Sequence, residues 1–501
     1  MRFFNVEIFV FLCIFLFSCN AGILSPPRGE SEIKIREENG KRILQVDADA
    51  DLQKAIEIAR GGDIIELHPR AIYKPIKLAN KDTKDFIVIK TALDMDSDCL
   101  KQKNALAKIA TSEGHLSAVT TATAAHHYRF VCVGFIHVGT DYVHNLVYIG
   151  TDSNKVNDLP HDFEFDRCYF KSSDRGITRR GLAANGINIV VQNSSFEGFG
   201  YPQEETQGIA GWTGSRNIKI LNNYIEGGAE NIMFGGSDPA SPELIPQDIE
   251  VRGNHLNKPS AWKGRVTTKC LFELKNAKRV IFAENYMENN WDGSAFRITV
   301  RNQDGKAPFS TIEDVSIYNN VIVGSGDGIN ILGKDDQFPS QTLRGLKITN
   351  NLFLKLGGSG FFGSGYFVQI SDGEDILIAN NTVFNEGNIV TFHGAMPRKF
   401  VVRDNIVGHG LYGIHGHSNI RSLTNEFRNN VIVNNRKINE SDKSFPSGNL
   451  WVESYGSLLA EDYTVLSNFK QKIGREVGFN PALLPRKLVD FIVKPKTKPI
   501  I

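Results

Sequence analysis

Cysteine is scarce: six in 501 residues, with no CxxC pair and no cysteine–histidine cluster in the sequence. A structural zinc site built on such spacing is not expected. Net charge is nearly absent, since 57 Lys and Arg against 56 Asp and Glu leave +1. That balance does not describe a nucleic-acid binder. The apolar run Ile8–Phe17 is too short to cross a bilayer. Helical spacing of apolar residues is missing from most of the chain, so no helical second domain is expected.

What is present is a repeat. Ser215–Asn290 says one sentence three times: a short alternating strand, an Asn, an apolar or aromatic pair, a turn, a second short strand. Asn223, Asn254 and Asn285 stand 31 residues apart, and the column continues at Asn320, Asn351, Asn381, Asn405 and Asn430. A fixed period of this size marks a repeat architecture. Each unit is too short to bury a face alone, so it must stack on its neighbours. Length alone would suggest several domains; the repeat argues for one solenoid over 45–435. An Asn at a bend tolerates a left-handed backbone and can bond the Asn of the next coil, about 4.8 Å away. The column is expected to be structural.

The N-terminus carries other signals. Met1–Gly22 reads as a secretory signal, so the chain is expected to be exported. Leu16–Cys19 (LFSC) resembles a bacterial lipobox, which implies a lipid on Cys19 at residues 1–19 and a cell-envelope, outer-membrane or surface lipoprotein with no other membrane contact. The alternative is cleavage after Ala21 and no anchor. Residues 20–44 read as a polar linker. Leu52, Ala55, Ile56 and Ala59 share a helical face before Gly61-Gly62, a helical N-terminal cap for the solenoid. Residues 436–501 read as a closing segment and tail, with Val489–Val493 as a last strand or cap. Cys99, Cys132, Cys168 and Cys270 are expected as free buried thiols, Cys168 filling an Asn-column position.

Strand alternation then sorts the second strand of each coil. Phe234, Leu274, Val300, Ile331, Ile370, Phe392 and Ile414 are expected inside. The outward columns would hold Met233, Glu273, Thr299, Asn330, Gln369 and Thr391 on one side, and Gly235, Lys275, Arg301, Leu332, Ser371, His393 and His415 on the other. Two adjacent rows rich in Glu, Lys, Arg, Asn, Gln and His on a rigid rod suit an extended acidic polysaccharide; a merely solvated face is the competing reading. Excursions at Tyr201–Gly211, Lys258–Lys269 and Gly333–Arg344 bring Trp212, Trp262 and Trp291 near that face.

Residues 45–435 resemble the pectate-lyase-like superfamily, whose fold is all-β, a right-handed parallel β-helix. More narrowly, FELKNAKRVIFAENYM and GSAFRITVRNQDG resemble catalytic coils of the alginate lyase and chondroitinase B family of polysaccharide lyases. The resemblance implies Lys275 and Arg301 as catalytic residues. Glu273, Asn330, Gln369, His393, His415 and Trp262 would bind substrate, and Glu273 with Asn231 would hold Ca2+. β-Elimination next to a uronate needs a base and a cation to steady the developing charge, and Lys275 beside Arg301 would meet both needs. Hydrolases of related folds need paired carboxylates. Asp335-Asp336 and Gly408-His409-Gly410 mimic them only superficially, and pectate-lyase signatures are absent. The expectation is a monomeric lyase on uronate-containing glycan. A non-catalytic glycan- or matrix-binding surface protein and a structural envelope protein are the alternatives from other classes.

Overall fold

The computed structural model describes residues 33–93, 98–112, 116–438 and 445–493. Calls made on Cys19 and the leader lie outside these residues. Successive coils stack as parallel strands in a 15-stranded sheet and a 24-stranded sheet. Residues in register put like on like: Ile218 pairs Ile249, then Val280, Val315, Leu346, Ile376 and Phe400. These side chains are buried and form one continuous core along the rod. In the first coils phenylalanines fill it by stacking, Phe170 on Phe196 at 4.1 Å and Phe130 on Phe165 at 5.3 Å.

The Asn column is an internal ladder. The Asn254 backbone N–H donates to Asn285 Oδ1 at 2.9 Å, and Asn254 Nδ2 donates to the same oxygen at 3.0 Å and to Ile220 O at 2.8 Å. The same pattern runs from Asn223 to Asn430 and ends on Asn449, a rung that the repeat spacing misses. Below Asn223 smaller side chains continue it, Ser194 accepting from the Cys168 N–H at 2.9 Å. The left-handed residue is not the ladder Asn but the one before it, as at Asn222, Gly253, Glu284, Asn319 and Asn350. Fully buried amides are tolerated here because each polar atom has a partner.

Three features differ from the sequence reading. Residues 33–44 are not linker: Ile33–Glu38 pairs antiparallel with Lys41–Val46, which opens the 15-stranded sheet. Cys99 and Cys132 are not free thiols but a disulfide, their Cα atoms 6.0 Å apart. Cys99 lies in a 3-10 turn outside the repeat, so no period could align it with Cys132. Cys168 and Cys270 are free and buried. The third difference is at the C-terminus. Leu450–Val452 adds a strand to the last coil, but the chain then turns back along the flank of the rod. Phe479 N–H reaches Thr382 Oγ1, Asn480 N–H reaches Asn350 Oδ1, and the Leu483 carbonyl accepts from Asn319. Arg486–Val493 is a helix, not a strand, and stacks Phe491 on Tyr286 at 4.5 Å. Leu52–Ile58 is also helical, capped by Asp51 and burying Leu52, Ala55 and Ile56.

Candidate functional site

Each coil of the 24-stranded sheet turns a corner where two consecutive residues are both buried: Leu271-Phe272, Ala295-Phe296, Phe367-Val368, Ile389-Val390. Outward residues just past that corner share a register. Met233 pairs Glu273, then Arg297, Asn330, Gln369, Thr391 and His415. Arg297, and not Thr299, therefore follows Glu273, and Ile298, not Val300, follows Leu274 inside. Ile414 is likewise in register with Val390 and His415 with Thr391, two residues from the expected columns. Val300 and Ile414 are buried all the same.

Above this corner lies a groove lined by Lys269, Glu273, Lys275, Arg297, Arg301 and Asn330, with His393 at one end and Asp335–Phe338 as one wall. Lys275 and Arg301 share it, on adjacent coils, with the Arg301 N–H bonded to the Lys275 carbonyl at 2.8 Å. Neither is sealed in: their side chains are 17% and 30% exposed. Gly235 and Gly236, at φ 91° and 87°, make room for Lys275. A Cβ on Gly235 would lie 2.5 Å from the Asn276 nitrogen, so only glycine fits. The wall loop is held by Asp335, whose carboxylate accepts from Asn302, Gln337 and Phe338 backbone N–H groups. Asp336 is exposed and ion-pairs with Arg301.

The floor is a buried carboxyl pair with an ammonium on it. Lys269 Nζ lies 2.9 Å from Glu230 Oε1 and 3.0 Å from Glu273 Oε2. Burial, with Glu230 beside it, pushes the Glu273 carboxyl up to about 7. Burial acts on Glu230 in the same sense, but Lys269 and the Gln207 amide outweigh it and hold Glu230 below its ordinary range. Lys269 is raised in return: burial opposes its charge, and the two carboxyls more than compensate. Two like charges this close do not both ionise easily. Glu273 is thus the member of the pair whose neutral form is favoured.

Calcium does not fit. Asn231 is buried and its amide is spent: Nδ2 donates to Ile225 O and Asn257 O, and Oδ1 accepts from Lys258. Lys258, fully buried, bonds the Gly227 and Gly228 carbonyls as well, and burial pushes it down to about 8. Glu230, Cys270 and Glu273 do converge, but Ca2+ wants six to eight oxygens. Here one ligand is a thiol and Lys269 already spans the two carboxylates.

Of the other expected residues, Gln369 and His415 extend the same column beyond Asn330, one and three coils along, but do not line the groove. Trp262 packs over Gly200, where a Cβ would sit 2.9 Å from its ring. Trp212 lies under the Arg180 guanidinium at 4.5 Å, and Trp291 is buried. His409 is buried against Trp451.

The chain matches no protein-family model and no curated protein. Among solved structures it superposes on a mutant form of the PL6 family alginate lyase AlyGC, with TM-score 0.50 and 11% identity, over 91% of this chain. It spans 59% of that chain. A mannuronic-acid-specific family 6 lyase from the human gut microbiota gives TM-score 0.49 and 12% identity, over 90% of this chain and 99% of the other. The fold is a right-handed parallel β-helix.

On this β-helix, sequence reasoning missed Lys269, Arg297 and Glu230. Arg297 had a signal: Phe272-Glu273-Leu274 and Phe296-Arg297-Ile298 are the same pattern on successive coils. Lys269 had none, because it arrives on a loop.

Proposed function

We propose that this β-helix protein cleaves uronate-containing polysaccharide by β-elimination in the groove above Glu273. The observation that carries the reading is the convergence of four cations, Lys269, Lys275, Arg297 and Arg301, on one open groove. A uronate carboxylate entering there meets guanidinium groups suited to carboxylate geometry. In the reaction a base removes the proton on the carbon beside the carboxylate. The electron pair closes a C=C bond as the glycosidic C–O bond breaks, and the departing oxygen takes a proton. Lys275 is the assigned base, and Arg301 and Arg297 steady the charge that develops on the carboxylate. Asn330 and His393 bind neighbouring sugar units, with Gln369 and His415 farther along the rod. Leu52–Ile58 is read as the cap of the solenoid, and the leader as the signal of an exported lipoprotein.

Lys275→Ala and Arg301→Ala are each expected to lower turnover on the cleaved glycan by about 10²-fold while leaving the melting curve nearly unchanged. The assay is absorbance near ~230 nm, the region of an unsaturated uronate product, over alginate, pectate, chondroitin and heparin. The second reading, a glycan-binding surface protein without catalysis, is favoured by the Arg301 ion pairs with Asp335 and Asp336. Retention of glycan with no new absorbance on any of the four would decide for it.

A further inference from the structure

A second cluster lies on the other sheet, away from the groove strands. His126 and His161 are in register on adjacent coils of the 15-stranded sheet. Their rings stack at 4.6 Å with 9° between planes. His127 follows His126, and Asp162 follows His161. Both are left-handed, at φ 59°, in a position that is left-handed coil after coil: Asn188, Asn217, Asp248 and Arg279 also have positive φ. This recurring kink turns His127 and Asp162 toward the same spot as their neighbours. His126 Nδ1 and His127 Nδ1 are 2.7 Å apart, and His161 Nδ1 is 2.6 Å from Asp162 Oδ2. Asn188 holds the other Asp162 oxygen at 2.8 Å. A nitrogen from each of the three rings lies within 4.8 Å of the other two.

We propose that His126, His127 and His161 bind one borderline divalent cation of the Zn2+ class. Three points carry this. First, the chemistry of the donors is specific: imidazole suits Zn2+, Ni2+ and Cu2+, and not the hard Ca2+. Second, Asp162 does what a supporting carboxylate does at such sites. It accepts a hydrogen bond from the His161 Nδ1–H, which fixes the tautomer and leaves Nε2 with a bare lone pair. Third, a solvated face does not account for the residues. In later coils the slot of His126 and His161 holds Ile187 and then Arg216, Gln247, Lys278, Glu313 and Arg344. The polar ones are ordinary solvent-facing choices, whereas two consecutive coils here bring three imidazoles and one carboxylate together. Ligands at 2.0–2.1 Å from one tetrahedral ion stand about 3.3 Å apart, so nitrogens already within 4.8 Å of one another draw together by side-chain rotation to close the site. The rings are half-buried, with His161 35% and His127 18% exposed. An ion can therefore enter from solvent. Phe86 packs on His127 and walls one side.

The test uses the full chain, purified without a polyhistidine tag and stripped with EDTA. Titration with Co2+ is expected to give a tetrahedral d–d absorption band that saturates at one equivalent and is displaced by Zn2+. His126→Ala combined with His161→Ala should abolish the band, and Asp162→Asn should weaken binding by about 10- to 100-fold. Melting of the metal-free variants reports whether they fold. If alanine loosens the sheet, the His126→Gln and His161→Gln pair keeps the bulk and asks the same question. No saturable band, one equivalent retained by the folded double variant, or displacement by Ca2+ as readily as by Zn2+ would each overturn the proposal.

Discussion

Asn285 shows what one side chain does here. Its Oδ1 accepts two N–H groups from Asn254, and its Nδ2 donates to Val251 O and Asn320 Oδ1, all in the interior. Asn285→Leu strands these groups without water. At about 1–3 kcal/mol for a stranded buried group, it should lower stability in urea by about 3 kcal/mol. Lys278→Leu, on the half-exposed face, should do little, and equal midpoints for the two variants would mean that the ladder carries no stability. Glu273 makes the second residue-scale prediction. Its folded carboxyl titrates at about 7, above the ordinary 4.5. Between those values the native state holds a proton that the unfolded chain has lost, so this group's contribution falls as pH rises through that window. Glu273→Gln removes the titration. The loss of urea midpoint between about pH 5 and about pH 8 should be smaller in the variant than in the parent. An unchanged pH slope would mean that Glu273 does not carry this titration.

At the scale of elements, the returning C-terminal segment is the part that a repeat cannot foretell. Residues 477–493 bury Phe479, Leu484 and Leu488 against Tyr286, Val321 and Leu352 on the rod's flank. Deleting them uncovers a contiguous apolar strip, which soluble proteins seldom leave exposed. The truncated chain should melt earlier and bind a fluorescent apolar dye, and an unchanged melt with no dye binding would make the segment a passenger. The elements of the groove were partly legible. Glu273, Lys275, Asn330 and His393 follow from strand alternation, and the structure brings all four to one groove with Arg301. Arg297 was missed because the run from rung to strand varies: Glu273 stands 19 residues after Asn254, but its partner Arg297 stands 12 after Asn285.

The whole molecule is a stack in which each coil touches mainly the next, so stability is expected to be distributed along the rod. Its placement in the cell is a separate matter, which the proposed leader would carry. If a lipid on Cys19 supplies the anchoring, Cys19→Ala should move the protein from the detergent phase to the soluble fraction. A chain that partitions identically with and without that cysteine would leave the lipobox reading without support.

The sequence by itself determined the class of fold, the Asn ladder and the alternation that turns Glu273 and Lys275 the same way. These are local and periodic: an Asn bonds the Asn one coil on, and a strand has a period of two. Only the tertiary structure decided which residues of different coils meet. Coil lengths vary from 19 residues after Asn430 to 35 after Asn285, so register cannot be counted along the chain. The same cause hid the approach of Lys269 to Glu230 and Glu273, the Cys99–Cys132 disulfide and the meeting of His126, His127 and His161. Each joins residues whose separation carries no period, and only the folded backbone brings them together.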